Sequence, residues 1–176
     1  HVAIDYTKLL DHGVDVMKEQ IEQSRSNMHV ADPDYFEKNA FYDACLESLD
    51  AMLIFAERYR LLALEMAEDE TDKIRKKELM EIAETLGHIP KYPARTFREA
   101  VQSFFFLQLI PQIESNGYSV TPGRFDQYMY KYYRADVDNG ILDDNMAQEL
   151  IDCLFLKMSQ IMRVDSTRAA EINAGY

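Results

Sequence analysis

The 176-residue sequence contains no tryptophan, only six glycines, five prolines and two cysteines, and a deficit of basic residues, 19 against 31 acidic ones. The net charge of -12 makes the summed field repel phosphate backbones and anionic lipid surfaces, which argues against nucleic acid and membrane surfaces as partners. No apolar run approaches the ~20 residues that a membrane span needs; the greasiest stretch, Phe104 to Ile110, meets Pro111 and polar residues at once. Internal repeats, low-complexity stretches and flexible linkers are missing too, so no domain boundary is expected. The chain opens His1-Val2-Ala3-Ile4-Asp5 without an initiator Met or a signal region, which reads as an internal piece of a longer protein. Cys45 and Cys153 fall inside apolar helical patterns and read as small buried hydrophobes, in keeping with a reducing, cytoplasmic setting.

What is present is enough for a core: 47% apolar residues with 11% aromatics exclude a disordered tail. Leu9, Leu10, Val14, Met17 and Ile21 recur at spacings of three and four and predict a helix over roughly 6–24. Asp32-Pro33 predicts the start of a long helix reaching about Glu68, with an apolar stripe from Phe41 and Cys45 to Ala63 and Met66. After the acidic break at Glu68 to Asp72, Ile74 to Leu86 continue helically to Gly87, read as a left-handed stop. Pro90 and Pro93 predict an extended connector. Thr96-x-x-Glu99 is a capping box that opens a helix through Gln108, apolar on nearly all sides and so expected to be surrounded by other protein. Turns are predicted at Pro122-Gly123 and Asn139-Gly140, and a last helix from Asp143 or Asp144 to about Arg163. The fold class read from the pattern is mostly α with short extended pieces.

The candidate chemistry is sparse. His1, His12, His29 and His88 are scattered, with no zinc-ligand spacing, and neither a phosphate-cradling loop nor a dinucleotide fingerprint occurs, so no metal or nucleotide is assigned to this segment. Cys45 and Glu47 lie mid-helix about 200° apart around the axis, which suits a core thiol and a surface carboxylate better than a catalytic pair. Tyr128, Tyr130, Tyr132 and Tyr133 read as packing residues with hydroxyls at polar edges, and Asp136 to Asp138 as a solvated turn. The run from Ile113 to Tyr128 differs from the rest, because it combines tight-turn residues with a cluster of hydrogen-bonding side chains directly after an apolar helix. Such a cluster is either a wall of a pocket or a structural hydrogen-bond knot.

IESNGYSVTPGRFDQYMYKYY resembles the E-S-N-G-x-S-x-x-P-G-R-F-D-Q-Y-M-Y segment of glycyl radical enzymes, in the branch with B12-independent glycerol and propanediol dehydratases and choline trimethylamine-lyase. DYTKLLDHGVD, FAERYRLLALEMAEDETD, PARTFREAVQSFFFLQL and AAEINAGY extend the similarity along the whole chain. The resemblance implies that residues 1–176 are one helical segment of the N-terminal part of a pyruvate formate-lyase-like domain, within a ten-stranded α/β barrel. It implies a glycyl radical that oxidises a cysteine whose thiyl abstracts a substrate hydrogen. Both radical-bearing loops would lie beyond Tyr176, so no catalytic residue is assigned here. In the glycerol dehydratases the residues after Asn-Gly are His-Ser and contact substrate hydroxyls; here they are Tyr118 and Ser119. Ser keeps a hydroxyl donor and acceptor, whereas Tyr for His removes a possible imidazolium, so a diol substrate is not carried over with the motif. Tyr176, after Gly175, is a third substrate-binding candidate. The implied partners are the rest of the full-length enzyme, a radical S-adenosylmethionine activating enzyme, a small polar substrate and a second subunit in a homodimer. The implied activity is C–O, C–N or C–S lysis under anaerobic conditions. Another glycyl radical branch, a decarboxylase or formate-lyase, and a noncatalytic helical scaffold are the alternatives.

Overall fold

The computed structural model describes residues 2–115 and 120–161. In chain order these form β1 (Val2–Ala3), α1 (Tyr6–Ser26), α2 (Tyr35–Asp69), α3 (Lys73–His88), α4 (Phe97–Ser115), β2 (Val120–Thr121), α5 (Phe125–Asp138) and α6 (Asp144–Ser159). α1, α3 and α6 begin where an Asp side chain takes up a free N–H group. Asp5 accepts from Lys8, Asp72 from Ile74 and Asp143 from Met146, each near the start of its helix. α2 starts later than the Asp32-Pro33 signal predicts, since Asp32 is used in a turn: its carboxylate accepts from the His29 N–H and its carbonyl from the Tyr35 N–H. Gly87 is likewise not a stop. α3 runs through it to His88 and ends at Ile89, which is held extended because it precedes Pro90.

α4 is the element on which the others gather. Its Phe97, Ala100, Val101 and Phe104 share one core with Tyr6 and Leu10 of α1, Met129 and Tyr132 of α5, Leu142, and Ala147 and Leu154 of α6. Phe106, on another face, packs with Ala56 of α2, Leu86 of α3 and Ile89. The enclosure expected of this helix is therefore supplied, as far as Gln108, by the chain's own helices. α2 and α3, joined by residues 70–72, pack along each other, and Leu9 and Val14 of α1 meet Met52 of α2. The predicted stripe on α2 is only partly buried: Met52, Ala56 and Ala63 are covered, whereas Phe41, Tyr59, Leu62 and Met66 are exposed. Cys153 is exposed and Cys45 half-buried, so neither thiol is the buried hydrophobe that its pattern suggests.

The ten-stranded α/β barrel implied by the resemblance is not built by these residues. Among the described residues, strand structure is one parallel pair of two residues each, Val2 opposite Val120 and Ala3 opposite Thr121, and all else ordered is helical or turn. The physical reason lies in the pattern: apolar residues recur at three and four along most of the chain. A barrel needs many strand-length stretches of alternating polarity, each paired on both sides.

One irregularity shapes the chain's first part. Gly13 interrupts α1 at φ 71°, ψ 172°, a region open in practice only to glycine. A Cβ there would lie 2.5 Å from the Lys91 carbonyl oxygen and from the Tyr92 carbonyl carbon. The N–H groups of Val14 and Asp15, freed by the interruption, donate to the Pro90 and Lys91 carbonyls at 2.9 and 3.1 Å. α1 is thereby clamped to the connector that leads into α4.

Candidate functional site

The polar run after α4 is backed by a buried hydrogen-bond knot that is centred on Tyr6 and Gln108, outside the run. Gln108 sits on α4 among apolar neighbours and is only 2% exposed, so both ends of its amide must be satisfied. Its Nε2 donates to the Val120 carbonyl at 3.0 Å, and its Oε1 accepts from the Tyr6 hydroxyl. The Tyr6 oxygen also lies 3.4 Å from the Thr121 carbonyl. Tyr6 is wedged between Phe104, ring centroids 4.8 Å apart, and Tyr128, stacked at 5.5 Å. Burial pushes its phenol up to about 12, so it keeps its proton and remains a donor. Tyr128 in turn donates to the Pro122 carbonyl at 2.7 Å, which holds the turn that Gly123 completes at φ 61°. Backbone from Val120 to Pro122 is thus tied to α1, α4 and α5 at once.

Around that knot the polar side chains face outward. Glu114, Ser115, Thr121, Arg124, Asp126 and Gln127 are exposed or largely so. Of the two readings of the run, the hydrogen-bond knot exists, but it belongs to Tyr6, Gln108, Tyr128 and main-chain carbonyls. The exposed side chains of the run are left able to meet something else. Tyr118, Ser119 and Tyr176, the substrate-binding candidates, lie outside the described residues; the last helix, predicted to reach about Arg163, stops earlier, at Ser159 with Gln160 as its C-cap.

The larger concavities lie elsewhere. A cleft of about 650 Å³ runs between α2, α3, α4 and α6, floored by Phe55, Leu79, Phe105 and Phe106, and a groove of about 680 Å³ carries Arg75, Glu78, Arg98 and Glu149. Neither takes a side chain from 114–128. Among the described residues no group of three or more His, Cys, Asp or Glu side chains is placed to hold a metal ion, and no helix is long and apolar enough to cross a membrane.

Two buried carboxylates fix the entry to α4, and one of them carries no local signal. Thr96 accepts from the Glu99 N–H at 3.2 Å, as the capping box predicts, but Glu99 reaches one residue further back than expected, accepting from the Arg95 N–H at 2.7 Å. Glu99 is 4% exposed; burial alone would raise its pKa, yet the Arg95 guanidinium and N–H hold it below the ordinary value. Asp136, read from sequence as part of a solvated turn, is also 4% exposed and accepts from the Phe97 N–H at 2.7 Å across 39 residues. It is thus a cap for α4 supplied by α5. The Tyr-rich helix packs as expected, with Tyr132 donating to Asp11 and Tyr133 to Asp144, each at 2.8 Å, while Tyr130 is exposed.

A pyruvate formate lyase-like family model matches residues 1–176. The chain is 38% identical over 176 residues to the probable dehydratase YbiW of Escherichia coli (strain K12), covering 99% of this chain and 22% of that protein. To the isethionate sulfite-lyase of Desulfovibrio desulfuricans it is 37% identical, covering 98% of this chain and 21% of that one. The glycerol-bound form of the B12-independent glycerol dehydratase from Clostridium butyricum superposes with a TM-score of 0.91 at 37% identity, over 97% of this chain and 21% of that structure. The chain therefore spans about a fifth of the length of the relatives it matches.

Proposed function

We propose, from the fact that this chain belongs to the pyruvate formate lyase-like family of glycyl radical enzymes, that the whole protein is a glycyl radical lyase or dehydratase. It cleaves a C–O, C–N or C–S bond of a small polar substrate by radical hydrogen abstraction. Residues 1–176 are a helical segment of its N-terminal part and supply one wall of the substrate pocket, with Tyr118, Ser119 and Tyr176 as the contacts. The observation that carries the reading is the match along all 176 residues, which keeps the E-S-N-G and P-G-R-F-D-Q-Y elements in one uninterrupted run.

The radical itself has no fitting residue among those described. Gly87 lies in the last turn of α3, Gly123 and Gly140 sit in open turns, and the nearest neighbours of Gly13 are backbone atoms of Lys91 and Tyr92 rather than a thiol. Cys45 and Cys153 lie on α2 and α6. On the family resemblance we place the radical glycine and the thiyl cysteine outside this segment, and a radical S-adenosylmethionine activating enzyme and a second subunit are the proposed partners of the whole protein. What this chain contributes is binding: a serine hydroxyl at 119 both donates to and accepts from a polar substrate, and the phenol at 118 sets the size of the space beside it. A site built to hydrogen-bond a substrate group loses more when the partner is removed than an apolar one does.

Ser119→Ala in the whole, activated protein tests this, with glycerol, propane-1,2-diol and isethionate as substrates. The variant is expected to lose about tenfold or more in kcat/KM, the worth of one hydrogen bond of about 1.4 kcal/mol, while the glycyl radical forms to the same extent by electron paramagnetic resonance. Unchanged kinetics on a substrate that the unaltered protein consumes would remove Ser119 from the pocket.

A further inference from the structure

We infer that Gln108, with Tyr6 behind it, is a positioning residue for the substrate-binding stretch. Its amide pins the backbone at Val120, the residue covalently next to Ser119. The inference rests on the proposed reading of Tyr118 and Ser119 as substrate contacts.

Chemistry dictates how this amide is oriented. The Val120 carbonyl can only accept, so Nε2 must face it; the buried Tyr6 hydroxyl has one proton to give, so Oε1 faces Tyr6. With the amide turned over, Oε1 would oppose a carbonyl and Tyr6 would meet an N–H donor. The arrangement is therefore directional: α1 orients Tyr6, Tyr6 orients Gln108, and Gln108 sets the height of β2 above α4. β2 needs such help, because its pairing with β1 covers two residues, far short of a self-supporting ladder. Gln108 is also unusual for its surroundings. It follows Phe104 by one turn and adjoins Leu107, both packed in or against the core, where a leucine of similar volume would satisfy packing alone. A polar group kept in such a place, with every hydrogen-bonding atom engaged, specifies geometry more than it adds cohesion.

The test uses the whole, activated protein with three variants: Gln108→Leu, which keeps volume and removes both hydrogen bonds; Gln108→Glu, which keeps the acceptor toward Tyr6 and sets a carboxylate against the Val120 carbonyl; and Tyr6→Phe. Two readouts are taken: amide hydrogen exchange at Val120, Thr121 and Gly123, and KM and kcat per glycyl radical counted by electron paramagnetic resonance on the same three substrates. Gln108→Leu is expected to speed exchange at Val120 and Thr121 at least tenfold relative to α4 and to raise KM at least tenfold, with radical yield unchanged. Gln108→Glu should do the same or more, and Tyr6→Phe a fraction of it. Exchange raised equally over α1, α4 and β2, with kinetic constants per radical unchanged, would mean a merely structural glutamine and overturn the inference. If Ser119→Ala impairs substrate use while Gln108→Leu leaves exchange and KM as they were, positioning fails and the pocket reading stands. If Ser119→Ala changes nothing, the pocket reading fails and takes the positioning role with it, even where Gln108→Leu loosens the backbone.

Discussion

Glu99 makes a stability argument with a definite sign in pH. Its carboxylate takes the Arg95 N–H and pairs with the Arg95 guanidinium, at 3.1 Å from Nε to Oε1, while its own N–H is capped by Thr96. The folded pKa is depressed below the ordinary 4.5, so the contribution is fully present above that value and is lost as pH falls through the folded pKa. Arg95 is more than half exposed, which screens the pair and keeps its worth small. Glu99→Gln in the whole protein should cost about 1 kcal/mol at neutral pH, read as a lowered urea midpoint, and the gap should close as pH drops below 4.5. A gap that widens in acid would contradict the assignment. The sequence makes half of this arrangement legible, since T-x-x-E announces a cap. It does not announce Asp136, because a carboxylate that caps a helix 39 residues away carries no local pattern. Gln108 falls between the two: one amide inside Phe104 to Ile110 is a visible anomaly, but its partners, Tyr6 and the Val120 carbonyl, are brought there only by the tertiary fold.

Among the helices, glycine is the residue type whose role reads least reliably from sequence. Gly87 looks like a stop and is ordinary helix; Gly13 looks like helix and is an interruption. Their surroundings make the difference: Pro90 already ends α3, so Gly87 has nothing to terminate, whereas the Lys91 and Tyr92 backbone presses on Gly13 from outside its helix. Gly13→Ala should therefore destabilise the whole protein by about 3 kcal/mol or more, combining a disfavoured φ with contact against backbone that cannot give way. Gly87→Ala, where an added Cβ meets only the Arg60 Cδ at 3.6 Å, should be neutral or stabilise by up to about 1 kcal/mol. Thermal unfolding of the two variants side by side checks the contrast, and equal effects would refute it. Helix positions are otherwise readable to within a few residues, because spacing of three and four reports the buried face directly. How much of that face is covered is not, as α2 demonstrates: Phe41, Tyr59, Leu62 and Met66 keep the period and are nonetheless exposed.

At the scale of the whole molecule, family and architecture are legible to different degrees. The segment from Glu114 to Tyr128 is long and unusual enough to indicate the glycyl radical enzymes, and the match over residues 1–176 agrees. The barrel inferred with them does not arise from these residues, whose only described strands pair over two positions. Polar side chains of the same run stand exposed around a backbone fixed by Tyr6, Gln108 and Tyr128, which suits a surface completed by further protein or by a ligand. The most direct measurement is electron paramagnetic resonance after anaerobic incubation with a radical S-adenosylmethionine activating enzyme, performed in parallel on the whole protein and on residues 1–176 alone. The whole protein should develop an organic glycyl radical signal and the segment none; a whole protein without any such signal, or a segment that acquires one, would contradict the account.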